Sequence, residues 1–348
     1  MKALNEEAAA IRAAMLEKVG RMRSERTTRD GGEQSKVLVP KSLWDEYPVS
    51  PHEFITSKDF FNDKKGSVWP ALREDMELVF SGTDRNGRID YSPICNVFLD
   101  CEGLGSGKSS KIALFCAYLT YWLHCLKSPY EYYGMSEDFG STLAIMNIAP
   151  TEEKAKRIVY SRLFNIMHRI PWFRDNGYVP DNKFRNELRF YKNSATGNMT
   201  KEELKNFQSP FLVLRPSSGK ARAAVGEDLF AGVVDEACSS DGFEDIDGND
   251  RCEEIFDVLH TRRKSRFGVH GINLFISSAG TQERWMERTI RNVEEHCDKH
   301  GLDPKGLINM VGPSGDMRVI YRRRPSYDAN PQYKHEKRFN YRVEREIQ

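Results

Sequence analysis

The sequence predicts an α/β fold in which helices cover both faces of a mainly parallel sheet, and three observations carry that reading. Short apolar runs alternate with helix-forming stretches along the middle of the chain. A glycine-rich turn joins one of these runs directly to a helix. Further on, another apolar run ends in two adjacent carboxylates, Asp235 and Glu236. Unbroken apolar runs mark strands whose two sides both meet helices, as in buried parallel sheets.

The elements follow in order. Residues 1–36 read as an N-terminal helix and linker: strong helix formers short of large apolar side chains from Ala3 to Arg26, then a polar stretch with Gly31-Gly32. That helix either docks on a partner or stands as a solvated terminus. Residues 37–317 are expected to form the main domain, with 37–95 as an aromatic lead-in carrying Trp44, Tyr47, Phe54, Phe60 and Phe61. Trp69-Pro70 opens a helix to Phe80, and Asn86-Gly87 marks a tight turn. Asn96 to Leu99 is a strand, Lys108 to Leu126 a helix and Thr142 to Ile148 a second strand. Pro150-Thr151-Glu152-Glu153 then begins a helix to about Ile170, its acids suited to the positive end of the helix dipole. Leu188 to Tyr191, Phe211 to Arg215, Leu229 to Val234 and Leu274 to Ser277 complete the expected strands. Residues 318–348 read as a basic tail, with Arg322-Arg323-Arg324 among Tyr321, Tyr327, Tyr333 and Tyr341. This tail either contacts phosphate or links to a further domain.

Composition narrows the classes. At 348 residues and 39% hydrophobic content, the chain holds enough apolar side chains for one sizeable core plus extensions. The 52 Lys and Arg against 51 Asp and Glu leave no global field to attract a polyanion, so any nucleic-acid surface must be local. The cysteines Cys95, Cys101, Cys116, Cys125, Cys238, Cys252 and Cys297 are odd in number and contain no C-x-x-C pair, the pattern of reduced structural thiols. The start has no signal-peptide core and no apolar run is long enough to span a bilayer, so a soluble, intracellular protein is expected. The segment from Asp84 to Asp90 lacks a calcium-loop ligand set. The acidic loop from Asp241 to Asp250 and the trio His296, Cys297 and His300 read as surface features.

The glycine-rich turn carries the chemistry. Gly103, Leu104, Gly105, Ser106, Gly107, Lys108, Ser109 and Ser110 follow an apolar strand and open an apolar helix. Glycines let the backbone wrap a β-phosphate, where amide N–H groups and the helix N-terminus face the anion. Lys108 is placed to reach the β- and γ-phosphates and the Ser109 hydroxyl to ligate Mg²⁺. In the pattern G-x-x-x-x-G-K-[ST] the first glycine falls on Glu102; that glycine only sets the turn, whereas Gly107, Lys108 and Ser109 make the contacts. An ATPase also needs one carboxylate on the metal side and one to position water. Asp235, holding Mg²⁺ through water, and Glu236, as general base, stand for these at the carboxyl end of a buried strand. An extra strand, Thr142 to Ile148, between the loop strand and the acid strand, with the glutamate beside the aspartate, is the pattern of RecA-like additional-strand P-loop NTPases.

From about Pro48 to Pro331, the order and spacing resemble the ATPase domain of the large terminase subunit of tailed bacteriophages. Pro51-His52-Glu53-Phe54-Ile55 and Val68-Trp69-Pro70 are similar to that family's lead-in, where adenine contacts are implied. Ala149-Pro150-Thr151-Glu152-Glu153-Lys154-Ala155 is similar to the post-strand segment shared with helicases, and Ser277-Ser278-Ala279-Gly280 to the motif coupling γ-phosphate state to domain movement. Leu104 stands where the family often has an arginine. Arg222 lies in the stretch where a neighbouring subunit's arginine finger is implied; it is either that finger or a solvated loop residue.

The resemblance implies an ATP-hydrolysing motor that uses Mg²⁺ and translocates double-stranded DNA into a procapsid, with Lys108, Glu236 and Arg222 as catalytic residues. It further implies portal protein and small terminase subunit as partners, and a homo-oligomeric ring when active, with a monomer possible when free. The implied location is the cytoplasm of an infected bacterial host, and transiently the portal. A two-lobed helicase shares these motifs, but the stretch after Gly280 is short for a second lobe. A nucleotide-binding regulatory subunit without translocation is the other alternative. The sequence stops before the nuclease domain such subunits carry, so no nuclease activity is expected.

Overall fold

The computed structural model describes residues 43–84, 87–135, 142–180, 187–191, 210–218, 228–238, 243, 250–280, 284–312 and 315–330. The chain divides into Met1–Ser42 and Leu43–Gln348. The expected N-terminal helix and linker, residues 1–36, and the tail beyond 330 lie outside the described residues.

Eight strands make one sheet. They are β1 (Val97–Glu102), β2 (Leu143–Ala149), β3 (Leu188–Phe190), β4 (Leu212–Ser218), β5 (Asp228–Asp235), β6 (Ile272–Ser277), β7 (Ile308–Gly312) and β8 (Gly315–Arg324), in the order β3-β4-β2-β5-β6-β1-β8-β7. From β4 through β8 every neighbouring pair is parallel, and the two ends, β3 and β7, pair antiparallel. The predicted architecture is therefore the one observed. Its topology differs in one point. The strand standing between the loop strand β1 and the acid strand β5 is β6, while β2, which the sequence placed there, lies on the far side of β5.

Alternation along β1 shows how the core is divided. Phe98 packs into one apolar cluster, with Phe115 and Ile112, while Val97, Leu99 and Cys101 pack into the other, with Phe275 and Met317. Helices α1 (Pro51–Thr56), α2 (Pro70–Val79), α3 (Lys108–Cys125) and α4 (Pro129–Tyr133) contribute to the first cluster. After β2 the chain forms α5 (Glu152–Ala155), a π-helical turn (Lys156–Tyr160), α6 (Ser161–Arg169) and α7 (Pro171–Asp175). Helices α8 (Cys252–Phe267) and α9 (Trp285–His300) supply the second cluster, and α10 (Ser326–Ala329) follows β8. The lead-in is stapled to α3: the Tyr118 hydroxyl donates to the Val49 carbonyl at 2.7 Å, and Trp122 Nε1 donates to the Asp90 carbonyl at 2.7 Å. All seven cysteines are buried and unbridged. No described helix is long and apolar enough to cross a membrane.

Helix α3 is buried on every side from Lys111 to Cys125, so a lysine inside it demands partners. Lys111 Nζ lies 2.9 Å from Asp75, 2.8 Å from Asp100 and 2.7 Å from Glu102. Arg324 reaches Asp75 at 2.7 Å and Glu102 at 3.1 Å, and Arg322 reaches Asp75 at 2.6 Å. Burial alone would raise Asp75, yet Lys111, Arg324 and Arg322 outweigh it and hold the carboxyl at about 2. Asp100 is pushed up to about 7 by burial, then by Glu102 and Asp75, against the pull of Lys111.

These contacts correct the reading of the expected tail, residues 318–348, over its first part, 318–324. Residues 315–324 are a strand beside β1, and Arg322 and Arg324 are spent on buried acids, while Arg323 pairs with Glu287 and Glu294. Arg322 and Arg324 are turned inward, and Arg323, half exposed, is paired with two carboxylates. Their basicity answers the acids at 75, 102, 287 and 294 rather than an external polyanion. Lys111→Met would leave three buried carboxylates short of a cation and is expected to cost about 3–5 kcal/mol or prevent folding. Arg174→Ala, which breaks a pair exposed on both sides, is expected to cost under about 1 kcal/mol. Denaturant titration of the two variants checks the contrast; equal losses would contradict it.

Candidate functional site

Strand β1 ends at Glu102 and helix α3 begins at Lys108, leaving Gly103 to Gly107 as the turn. Gly105 and Gly107 have φ of 76° and 87°, in the left-handed region that only glycine enters without strain. Gly107 also lies against the Trp69 ring, where an added Cβ would fall 2.9 Å from a ring carbon. Gly103 faces Ser326 in the same way, its added Cβ only 2.2 Å from the hydroxyl. The turn is gripped from the far side of β8. Gly103 N donates to the Arg324 carbonyl at 3.0 Å, Ser326 Oγ to the Leu104 carbonyl at 2.6 Å and Asn330 Nδ2 to the Gly105 carbonyl at 2.9 Å. Sequence reasoning missed this brace, since Ser326 and Asn330 sit in a stretch without apolar periodicity.

Lys108 folds back on the turn, its Nζ donating to the carbonyls of Glu102 and Gly103, both at 2.8 Å. Burial lowers its pKa, while Asp100, Glu102 and Asp235 oppose that shift. Across the sheet edge, β5 delivers the two acids. Asp235 is buried, and burial, then the neighbouring Glu236, push its carboxyl up to about 6. Its Oδ1 accepts from the Glu236 amide at 3.0 Å. Glu236 has φ of 60°, a conformation that costs a non-glycine residue about 1 kcal/mol or more and recurs where a side chain must be re-aimed. Here it turns the chain off the strand, and Glu236 Oε2 meets Lys154 Nζ at 3.2 Å. Lys154 belongs to α5 just after β2, a partner that sequence reasoning quoted without assigning a role.

One cavity of about 340 Å³ joins these groups: Leu104, Gly105, Gly107, Lys108, Ser109, Asp235, Glu236, Arg162 and Ser278 line it. The glycine turn and the paired acids thus face one space. Gly103, Ser106 and Ser110 belong to the same loop and first helical turn but are not part of this lining. Ser106 is buried, with its hydroxyl unpartnered among the described residues. A second cavity of about 640 Å³ lies beside it, walled by Phe61, Val68, Leu72, Leu114 and Ile166 among others, with Ser110 and Arg162 at its edge. Of the segments expected to contact adenine, Phe54 and Ile55 are buried in the core, while Val68 reaches this second cavity.

The segment Ser277-Ser278-Ala279-Gly280 leaves β6 between the two halves of the site. Ser277 Oγ accepts from the Cys238 amide at 2.9 Å, so it holds the turn after the acids rather than Glu236 itself. Ser278 lines the smaller cavity. Gly280 N donates to Glu287 Oε1 at 3.1 Å, and Glu287 in turn pairs with Arg323 of β8. Ala279 is exposed. Arg222 lies outside the described residues. Among the described residues, no group of three or more His, Cys, Asp or Glu side chains is placed to hold a metal ion by itself.

No curated protein matches the sequence. Among solved structures, the chain is similar to the large terminase ATPase domain of Thermus phage P74-26, at 14% identity over 70% of this chain and 81% of that one, TM-score 0.41. It is also similar to the HK97 bacteriophage large terminase, at 16% identity over 66% of this chain and 37% of that one, TM-score 0.39. The model of one protein family matches residues 31–345, nearly the whole sequence. The chain accordingly belongs to the family described as uncharacterized protein MJ0330, N-terminal P-loop domain.

Proposed function

We propose that this chain is a Mg²⁺-dependent ATPase and the motor domain of a terminase-type machine that drives double-stranded DNA into a procapsid through a portal. The observation that carries the reading is the shared cavity, in which Lys108 and Ser109 face Asp235 and Glu236. A triphosphate with its phosphates there would offer acceptors that replace the Glu102 and Gly103 carbonyls as partners of Lys108. The larger cavity takes the base and ribose: it opens at Ser110, one residue past Ser109, and its walls are largely apolar.

The donor set fits a hard cation. Ser109 and Asp235 bring oxygen ligands to the same cavity, and magnesium commonly completes its shell with phosphate oxygens and water. When bound, the ion supplies charge neutralisation at the phosphates. Glu236 orients a water and takes its proton as the water oxygen bonds to the γ-phosphorus. The bond from that phosphorus to the β–γ bridging oxygen breaks, releasing ADP and inorganic phosphate. Lys154 holds the Glu236 carboxylate at the cavity edge and must yield it to the water. Ser278 senses the γ-phosphate side, and the Ser277 and Gly280 hydrogen bonds pass its state to the acid turn and to β8. Arg222 of an adjacent subunit completes the site in a homo-oligomeric ring on the portal, with the small terminase subunit as a further partner, in the cytoplasm of an infected bacterium.

Lys108→Ala and Glu236→Ala are each expected to lower ATP turnover by about 10³-fold or more while leaving the melting temperature nearly unchanged, measured by phosphate release with and without double-stranded DNA. Full activity in either variant rejects the assignment, and turnover indifferent to DNA rejects the motor. Mixing Arg222→Ala chains with Glu236→Ala chains is expected to restore part of the activity; no rescue at any ratio would exclude a finger given in trans. Asp235 supplies a test in pH. It keeps its proton to about 6 in the fold against 3.8 for the free side chain, so the native state binds more protons between these values and stability falls as pH rises through them. Asp235→Asn is expected to gain up to about 3 kcal/mol at neutral pH, read as a higher melting temperature, while turnover is lost. A variant no more stable than wild type at neutral pH contradicts this.

A further inference from the structure

The helical stretch after β2 brings to the site a cation that the reaction above leaves unused. The wider turn from Lys156 to Tyr160 interrupts the helix, and Arg162 lies two residues beyond it. Turns of this kind rotate the residues beyond them and recur at functional sites. Arg162 is exposed, and its Nη1 donates to Ser110 Oγ at 2.8 Å. Among the described residues that hydroxyl is its one hydrogen-bond partner, although a guanidinium carries five donors. It is also the one described residue that lines both cavities, so it stands in the wall between them. Its charge reaches Asp235, where it opposes the upward push of burial and Glu236.

A neutral hydroxyl is a weak partner for a guanidinium that faces a space shaped for polyphosphate. An anionic oxygen forms a shorter, charge-assisted bond and accepts the planar fork. We propose that Arg162 is a nucleotide-contacting residue acting within its own chain, which leaves Ser110 for a phosphate oxygen when a triphosphate enters and closes the wall between the phosphate and nucleoside cavities. The inference rests on the nucleotide reading given above. It makes α6 the element that registers an occupied site, apart from any arginine offered by a neighbour.

The test is titration calorimetry of wild type, Arg162→Ala and Arg162→Lys with inorganic tripolyphosphate and with Mg²⁺-ATP, alongside melting curves. Loss of a charge-assisted bond is expected to weaken both ligands by about 10- to 100-fold in the alanine variant. The lysine variant is expected to recover part of that loss, and added guanidinium ion part of the alanine defect, which a purely structural role would not show. The melting temperatures should stay close to wild type, since the side chain is exposed. Arg162→Gln decides by the same criterion where the alanine variant does not fold. Wild-type binding of both ligands, with a variant within about twofold of it, overturns the role of Arg162 alone. Wild type that binds neither ligand overturns the nucleotide reading and this inference with it.

Discussion

The structure depends on the buried ion cluster around Lys111. Three carboxylates from α2 and β1 meet a lysine from α3 and two arginines from β8, so the distant β8 is tied at one point to three elements from the first part of the chain. Glu102, the last residue of β1, belongs to this cluster through its side chain while its carbonyl accepts from Lys108. The stem of the phosphate turn is therefore fixed from beneath, and what remains free to respond to a ligand is the short span above it. Replacing such a cluster by apolar side chains often preserves stability, so its contribution is one of register: its ion pairs match the seating of β8 beside β1.

That seating has a second effect. By carrying Ser326 and Asn330 to the carbonyls of Leu104 and Gly105, β8 and α10 orient the peptide units of the turn with their oxygens outward. The Ser106 amide is held inside the turn by the Gly103 carbonyl at 3.3 Å, so these peptide units are fixed in advance, which is the condition for an anion cradle that needs little reorganisation. Glu236 shows the complementary strategy on the opposite wall. Its left-handed backbone and its ion pair with Lys154 hold a carboxylate off the strand axis, in a conformation that neighbouring contacts must sustain.

Much of this was legible in the amino-acid order because the relevant signals are local. Apolar runs marked the six strands from β1 to β6 to within a few residues, and Gly-Lys-Ser after one run and Asp-Glu after another located the two sides of the cavity. What escaped was decided by tertiary pairing. Arg322, Arg323 and Arg324 look like a solvated basic patch until the acids at 75, 102 and 287 are seen beside them, and no periodicity announces a pairing across more than two hundred residues. The order of strands was misjudged for a similar reason: chain order places Thr142 to Ile148 between the loop and the acids, whereas the sheet inserts β6 there. Arg162 was hidden inside a stretch read only as helix, since the π-helical turn before it has no simple compositional signature, and nothing in the segment quoted around Lys154 announced its pairing with Glu236.

The contact between Trp69 and Gly107 has a practical consequence. An indole packed on the hinge of the glycine turn samples a local polarity that shifts whenever the turn rearranges, so the protein carries an intrinsic optical probe at the mouth of its binding loop. Emission from that ring would report occupancy in unlabelled material, with the remaining tryptophans, such as Trp122 deep in the core, supplying a steady background.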